Sequence, residues 1–103
     1  MRIEVFYIPG CPNFRPALER IAKVLVSEAL CADIEPVPVN SDAEANALNF
    51  PGSPTVRING NDVDPDKAKA PALACRLYAN SGGIPSEEML RRALIGANQE
   101  EGL

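Results

Sequence analysis

Covalent chemistry in this sequence rests on three thiols, Cys11, Cys31 and Cys75, because the chain has no histidine. Without histidine there is no Ser-His-Asp triad, no Cys-His pair and no His-containing zinc site. A cysteine, acting as thiolate, is then the expected carrier of any nucleophilic or redox step. Three thiols cannot all pair within one chain. A cytoplasmic, reducing setting is expected, where unpaired cysteines stay thiols and are more often reactive or buried than bridged.

The three positions differ. Cys11 lies in Gly10-Cys11-Pro12-Asn13-Phe14, between an apolar run and a helical pattern. Free N–H groups and the dipole at a helix start favour an anion there. Pro12 removes a competing donor, and Arg15 adds positive charge one turn on. The competing reading is an inert, small, cap-like residue. Cys31 is expected at the other end of that helix, and about 17 residues of helix span ~25 Å, so Cys11 and Cys31 cannot meet. Cys75 is expected to be a small buried hydrophobe at the start of a fourth strand. The alternative is that the loop of residues 61–73 folds back and brings Cys75 towards Cys11 as a resolving thiol. Asp62, Asp64 and Asp66 alternate as in a calcium loop, but the required Gly and Glu are absent. A solvated acidic loop and no metal site are expected.

These residues need a scaffold. The chain has 103 residues, 46% hydrophobic and 23% charged, which fits one globular domain. We expect that domain over residues 1–96, with a flexible acidic tail over 97–103. A net charge of -4 disfavours nucleic acid, and 5% aromatics are too few for a base-stacking platform. No apolar run approaches the ~18 residues of a membrane helix, and no signal-peptide core is expected.

Arg2–Ile8 reads as a central strand, apolar on both sides. Phe14, Leu18, Ile21 and Leu25 give one face of a helix from about Asn13 to Leu30. Ile34–Val39 reads as an edge strand, since Pro36 and Pro38 cannot donate. Ser41-Asp42-Ala43-Glu44 is a capping box for a short helix to Asn49. Thr55–Ile58 is a strand ended by the Asn59-Gly60 turn. Cys75–Tyr78 reads as the fourth strand, and Ser86 caps a helix to about Ile95 with Gly96 as its stop. The order β-α-β-α-β-β-α predicts an α/β fold: a mixed four-stranded sheet with helices on both faces.

That order resembles the thioredoxin-like superfamily over about residues 1–95. Gly10-Cys11-Pro12-Asn13-Phe14 stands where those proteins carry C-x-x-C. Gly52-Ser53-Pro54-Thr55 stands where they carry a cis-proline. The GCPN, GSPT and ACRLY segments are similar to those of small bacterial thioredoxin/glutaredoxin-like proteins. The resemblance implies a cis Pro54, with the Ser53 backbone pairing an extended peptide or glutathione. Pro12, Phe14, Ser53, Pro54 and Thr55 would line the substrate site. Phe14 replaces the second cysteine, so a monothiol pattern is expected, with Cys11 as nucleophile. No cofactor is expected beyond glutathione as co-substrate. The partner would be a protein or a low-molecular-weight thiol or disulfide. The alternative function is a non-catalytic binding module, with Tyr7, Phe14 and Pro54 as an apolar patch. Soft-metal or organomercurial capture by Cys11 with Cys75 has no ligand-spacing signature.

Overall fold

Alternation along the first strand sets both layers. In the computed structural model, which describes residues 1–65, 70–78 and 81–101, β1 spans Arg2–Tyr7. Successive side chains of a strand face opposite ways. Ile3 and Val5 therefore enter one core, and Phe6 enters another. The elements that follow are α1 (Phe14–Ser27), β2 (Asp33–Pro38), α2 (Asp42–Leu48), β3 (Thr55–Ile58), β4 (Asn61–Asp62) and α3 (Glu87–Glu101). The sheet order is β2-β1-β3-β4. β2 is parallel to β1, whereas β3 and β4 are antiparallel to their neighbours. The fold is α/β, with a mixed four-stranded sheet and three helices.

The first core joins Ile3, Val5, Val56 and Ile58 of the sheet to Ile21, Val24 and Leu25 of α1 and to Leu90 and Leu94 of α3. Phe14 and Leu18 pack against its margin, so the helical stripe read from the sequence is the face that α1 buries. On the opposite face, Phe6, Val39, Ala45 and Phe50 form a second core under α2. Each Val, Leu, Ile or Phe side chain among them is worth roughly 1.5–3 kcal/mol when fully buried.

The prolines of β2 explain its place at the edge. Asp33 N–H donates to Met1 O and Val39 N–H to Tyr7 O, so odd-numbered residues of β2 donate to β1. Pro36 and Pro38 fall on the alternate positions, so the donors they lack would have faced open solvent. The caps are also present. Ser41 Oγ accepts from Glu44 N–H, and the Glu44 carboxylate accepts from Asn40 N–H. Ser86 Oγ accepts from Met89 N–H at the start of α3. Asn59 and Gly60, both at positive φ, turn β3 into β4.

Three expectations need correction. The fourth strand is Asn61–Asp62, not Cys75–Tyr78, because the Asn59-Gly60 turn pairs residues immediately after it with β3. Residues 75–78 contribute only isolated bridges, Ser53 to Cys75 and Tyr78 to Gly82. Gly96 does not end α3, which continues to Glu101 in place of the expected tail. A glycine inside a helix costs only ~1 kcal/mol relative to alanine. Burial of Ala97 and the bond from Asn59 Nδ2 to Glu101 oppose that cost. The acidic loop is not simply solvated, since Asp64 is buried and Asp62 is ion-paired. Asp66 lies outside the described residues. No helix among the described residues is long and apolar enough to cross a membrane.

Candidate functional site

Cys11 sits in the connection between β1 and α1 and is half-buried. Its N–H donates to Ile8 O at 2.9 Å, and its carbonyl accepts from Phe14 N–H at 3.3 Å. Gly10 reaches φ +87 to make this turn. Asn13 is the N-cap of α1, but its side chain makes no capping bond. That side chain instead lies against the loop before α3, where a Cβ on Gly83 would stand 2.3 Å from Asn13 Nδ2. The Phe14 ring stacks on Tyr7 with centroids 3.8 Å apart. The stack fastens the first turn of α1 to the end of β1.

Ile8 links this turn to the second motif. Its N–H donates to Ser53 Oγ at 3.0 Å, while its carbonyl holds Cys11. The Ser53–Pro54 bond is cis, as the resemblance implies. The segment before Pro54 and the segment carrying Cys11 therefore meet at one end of the sheet.

The Ser53 main chain is already paired within the chain. Its N–H donates to Ala74 O at 2.8 Å, and its carbonyl accepts from Arg76 N–H at 3.0 Å. Cys75 stands opposite Ser53 in a parallel bridge. Ala72 N–H donates to Phe50 O, so residues 72–76 lie along residues 50–53. Gly52 permits the approach. It adopts φ +135, and a Cβ there would come within 2.9 Å of Arg76 Cβ and 3.1 Å of Ala74 O. Only glycine meets both conditions without strain.

An ion pair that the sequence reading missed anchors this segment. Arg76 is 3% exposed. Its guanidinium donates to both Asp62 carboxylate oxygens at 2.8 Å, to Asp64 O at 2.9 Å and to Thr55 Oγ1 at 3.2 Å. It also lies over the Tyr78 ring, 4.5 Å from the centroid. Burial works to lower the Arg76 pKa, but the Asp62 hydrogen bond and the neighbouring charges more than reverse that effect, and the net direction is upward. The signal in the sequence was faint: an arginine between Cys75 and Leu77, with Asp62 and Asp64 a dozen residues earlier.

Tyr78 donates its hydroxyl to Pro54 O. Burial pushes the phenol well above its ordinary value, and the Arg76 charge offsets only part of that. A raised folded-state pKa favours the neutral phenol, so its contribution is present below the ordinary phenol pKa and is lost as pH rises towards the folded value. Tyr7→Phe leaves Tyr78 as the single tyrosine of the chain. In that variant, phenolate absorbance is expected to stay absent through pH ~10, the ordinary tyrosine range, until the fold opens. Ionisation near pH ~10 with the fold intact would contradict the burial argument.

The expected site residues separate into two groups. Pro12 is exposed and Phe14 is half-buried. Ser53 and Thr55 are buried, and Pro54 is fully enclosed. An apolar patch built from Tyr7, Phe14 and Pro54 therefore loses Pro54 and reduces to the Tyr7–Phe14 stack beside Pro12. Thr55 Oγ1 is turned inward, donating to Gly52 O at 2.6 Å. Cys75 is exposed, not buried as expected, because the buried side of its segment is taken by Arg76 and Tyr78. Cys31 is exposed and unbridged beyond the end of α1. Among the described residues, no cluster of three or more His, Cys, Asp or Glu side chains could hold a metal ion. A scan against protein-family models finds no match, and a search of curated proteins finds none either.

Proposed function

We propose that the chain is a thioredoxin-like thiol-redox protein in which Cys11 is the nucleophile. The observation that carries this reading is the junction at Ile8, where one backbone unit holds both the Cys11 turn and the Ser53 side chain beside Pro54. Cys11 lies just before a helix whose N-cap side chain offers no hydrogen bond. N–H groups at such an end favour an anion nearby. The reaction class is thiol–disulfide exchange with a small disulfide such as oxidised glutathione. Cys11 thiolate attacks one sulfur, the S–S bond breaks, one glutathione thiolate leaves, and a mixed disulfide remains on Cys11.

Glutathione disulfide exchange measured on purified protein tests this. Cys11→Ser is expected to lower the rate by at least about a hundredfold, into the uncatalysed background, while Cys31→Ser leaves it unchanged. Retention of the rate in Cys11→Ser would refute the reading. A second reading, a non-catalytic binding module, is favoured by one observation. The Ser53 main-chain groups that would pair a partner are already satisfied from within the chain. In that reading the Tyr7–Phe14 stack and exposed Pro12 form the contact, and Cys11→Ser changes nothing.

A further inference from the structure

We propose that residues 72–76 are a built-in occupant of the Ser53 edge and that Cys75 within them is the disulfide partner of Cys11. The inference rests on the reading of Cys11 as nucleophile. Four observations lead to it. Phe14 stands three residues after Cys11, so the first turn of α1 brings no second thiol to it. Ala74 and Arg76 saturate the Ser53 N–H and carbonyl, which puts Cys75 directly opposite Ser53. Residues opposed in a β-bridge direct their side chains to the same face. Ser53 sends its hydroxyl towards Ile8, the residue that holds the Cys11 turn. Finally, Cys75 is exposed and unbridged, so its thiol is available.

The segment is held from one side. Arg76 fixes the segment from its buried side through Asp62. Residues 72–75 are exposed and are tied to the body by main-chain bonds to Phe50 and Ser53. A disulfide needs Cα atoms within ~7 Å.

The exchange balances with oxidised glutathione as the oxidant. Cys11 displaces one glutathione thiolate and becomes a mixed disulfide. Cys75 thiolate then attacks the Cys11 sulfur and displaces the second glutathione. The two thiol protons of the protein end on two glutathione molecules. The protein is oxidised by two electrons and the glutathione disulfide is reduced.

Intact mass of the Cys31→Ser chain after oxidised glutathione tests the pairing. The expected product has lost two hydrogens and retains no glutathione. Adding Cys75→Ser is expected to convert it to a glutathione adduct on Cys11, with the adduct fraction rising about tenfold or more. Equal adduct in both chains overturns the pairing and leaves Cys11 as nucleophile. No adduct and no bridge in either chain overturns both proposals. A bridge in a chain whose Cys11 shows no preferential reactivity supports the pairing and removes the nucleophile reading.

Discussion

Asp62→Ala is expected to lower the stability of the fold by about 3–5 kcal/mol, read as a shift of the denaturant midpoint at unchanged slope. Breaking one partner of a buried ion pair leaves the other charge without its counter-ion, and that penalty exceeds the net worth of the pair itself. Here the stranded group would be Arg76, whose side chain is 2% exposed while that of Asp62 is 12% exposed. Asp64 O and Thr55 Oγ1 would remain as acceptors and the Asp64 charge would still act on Arg76, but none of them replaces the two-oxygen contact of Asp62. Against a total of roughly 5–15 kcal/mol for a small domain, the loss is a large share. The paired change Asp62→Leu with Arg76→Met is expected to cost less than Asp62→Ala, because it removes the arginine together with its two-oxygen partner. A loss below about 0.5 kcal/mol in Asp62→Ala, the range of ordinary surface changes, would show that water reaches this pair freely.

The same variant links the core to the site. Arg76 is the residue after Cys75, and its backbone N–H is one of the two bonds that fill the Ser53 edge. Loss of the Asp62 anchor therefore loosens the segment that occupies that edge. Stability and access at the site are coupled through one side chain.

The sheet was largely readable from the sequence because its signals are local. Two prolines at alternate positions mark an edge strand whichever fold surrounds them, and Asn59-Gly60 specifies its turn by φ alone. The stripe of Phe14, Leu18, Ile21 and Leu25 needs only the helical period. The errors came where distant residues decide. Residues 75–78 look like a strand by composition, but the two residues after Asn59-Gly60 had already taken the place beside β3. Asp62 looks like loop surface until Arg76, fourteen positions on, is brought against it. Gly96 looks like a stop until Ala97 is seen against the core. At the site, the positions of Cys11 and Pro54 were legible, since each lies next to an element boundary. The filling of the Ser53 edge by residues 74–76 was not, because main-chain pairing leaves no mark in side-chain pattern.

Cys11 as nucleophile makes a prediction opposite to that of exposure. Accessibility alone places exposed Cys31 and Cys75 ahead of half-buried Cys11 in reaction with an alkylating agent. The most direct measurement is therefore site-resolved alkylation of the native chain with limiting iodoacetamide at neutral pH, read by peptide mass spectrometry. Cys11, as the proposed nucleophile, is expected to be modified first, by about tenfold over Cys31. Modification of Cys11 at or below the rate of Cys31 would contradict its assignment as the reactive thiol.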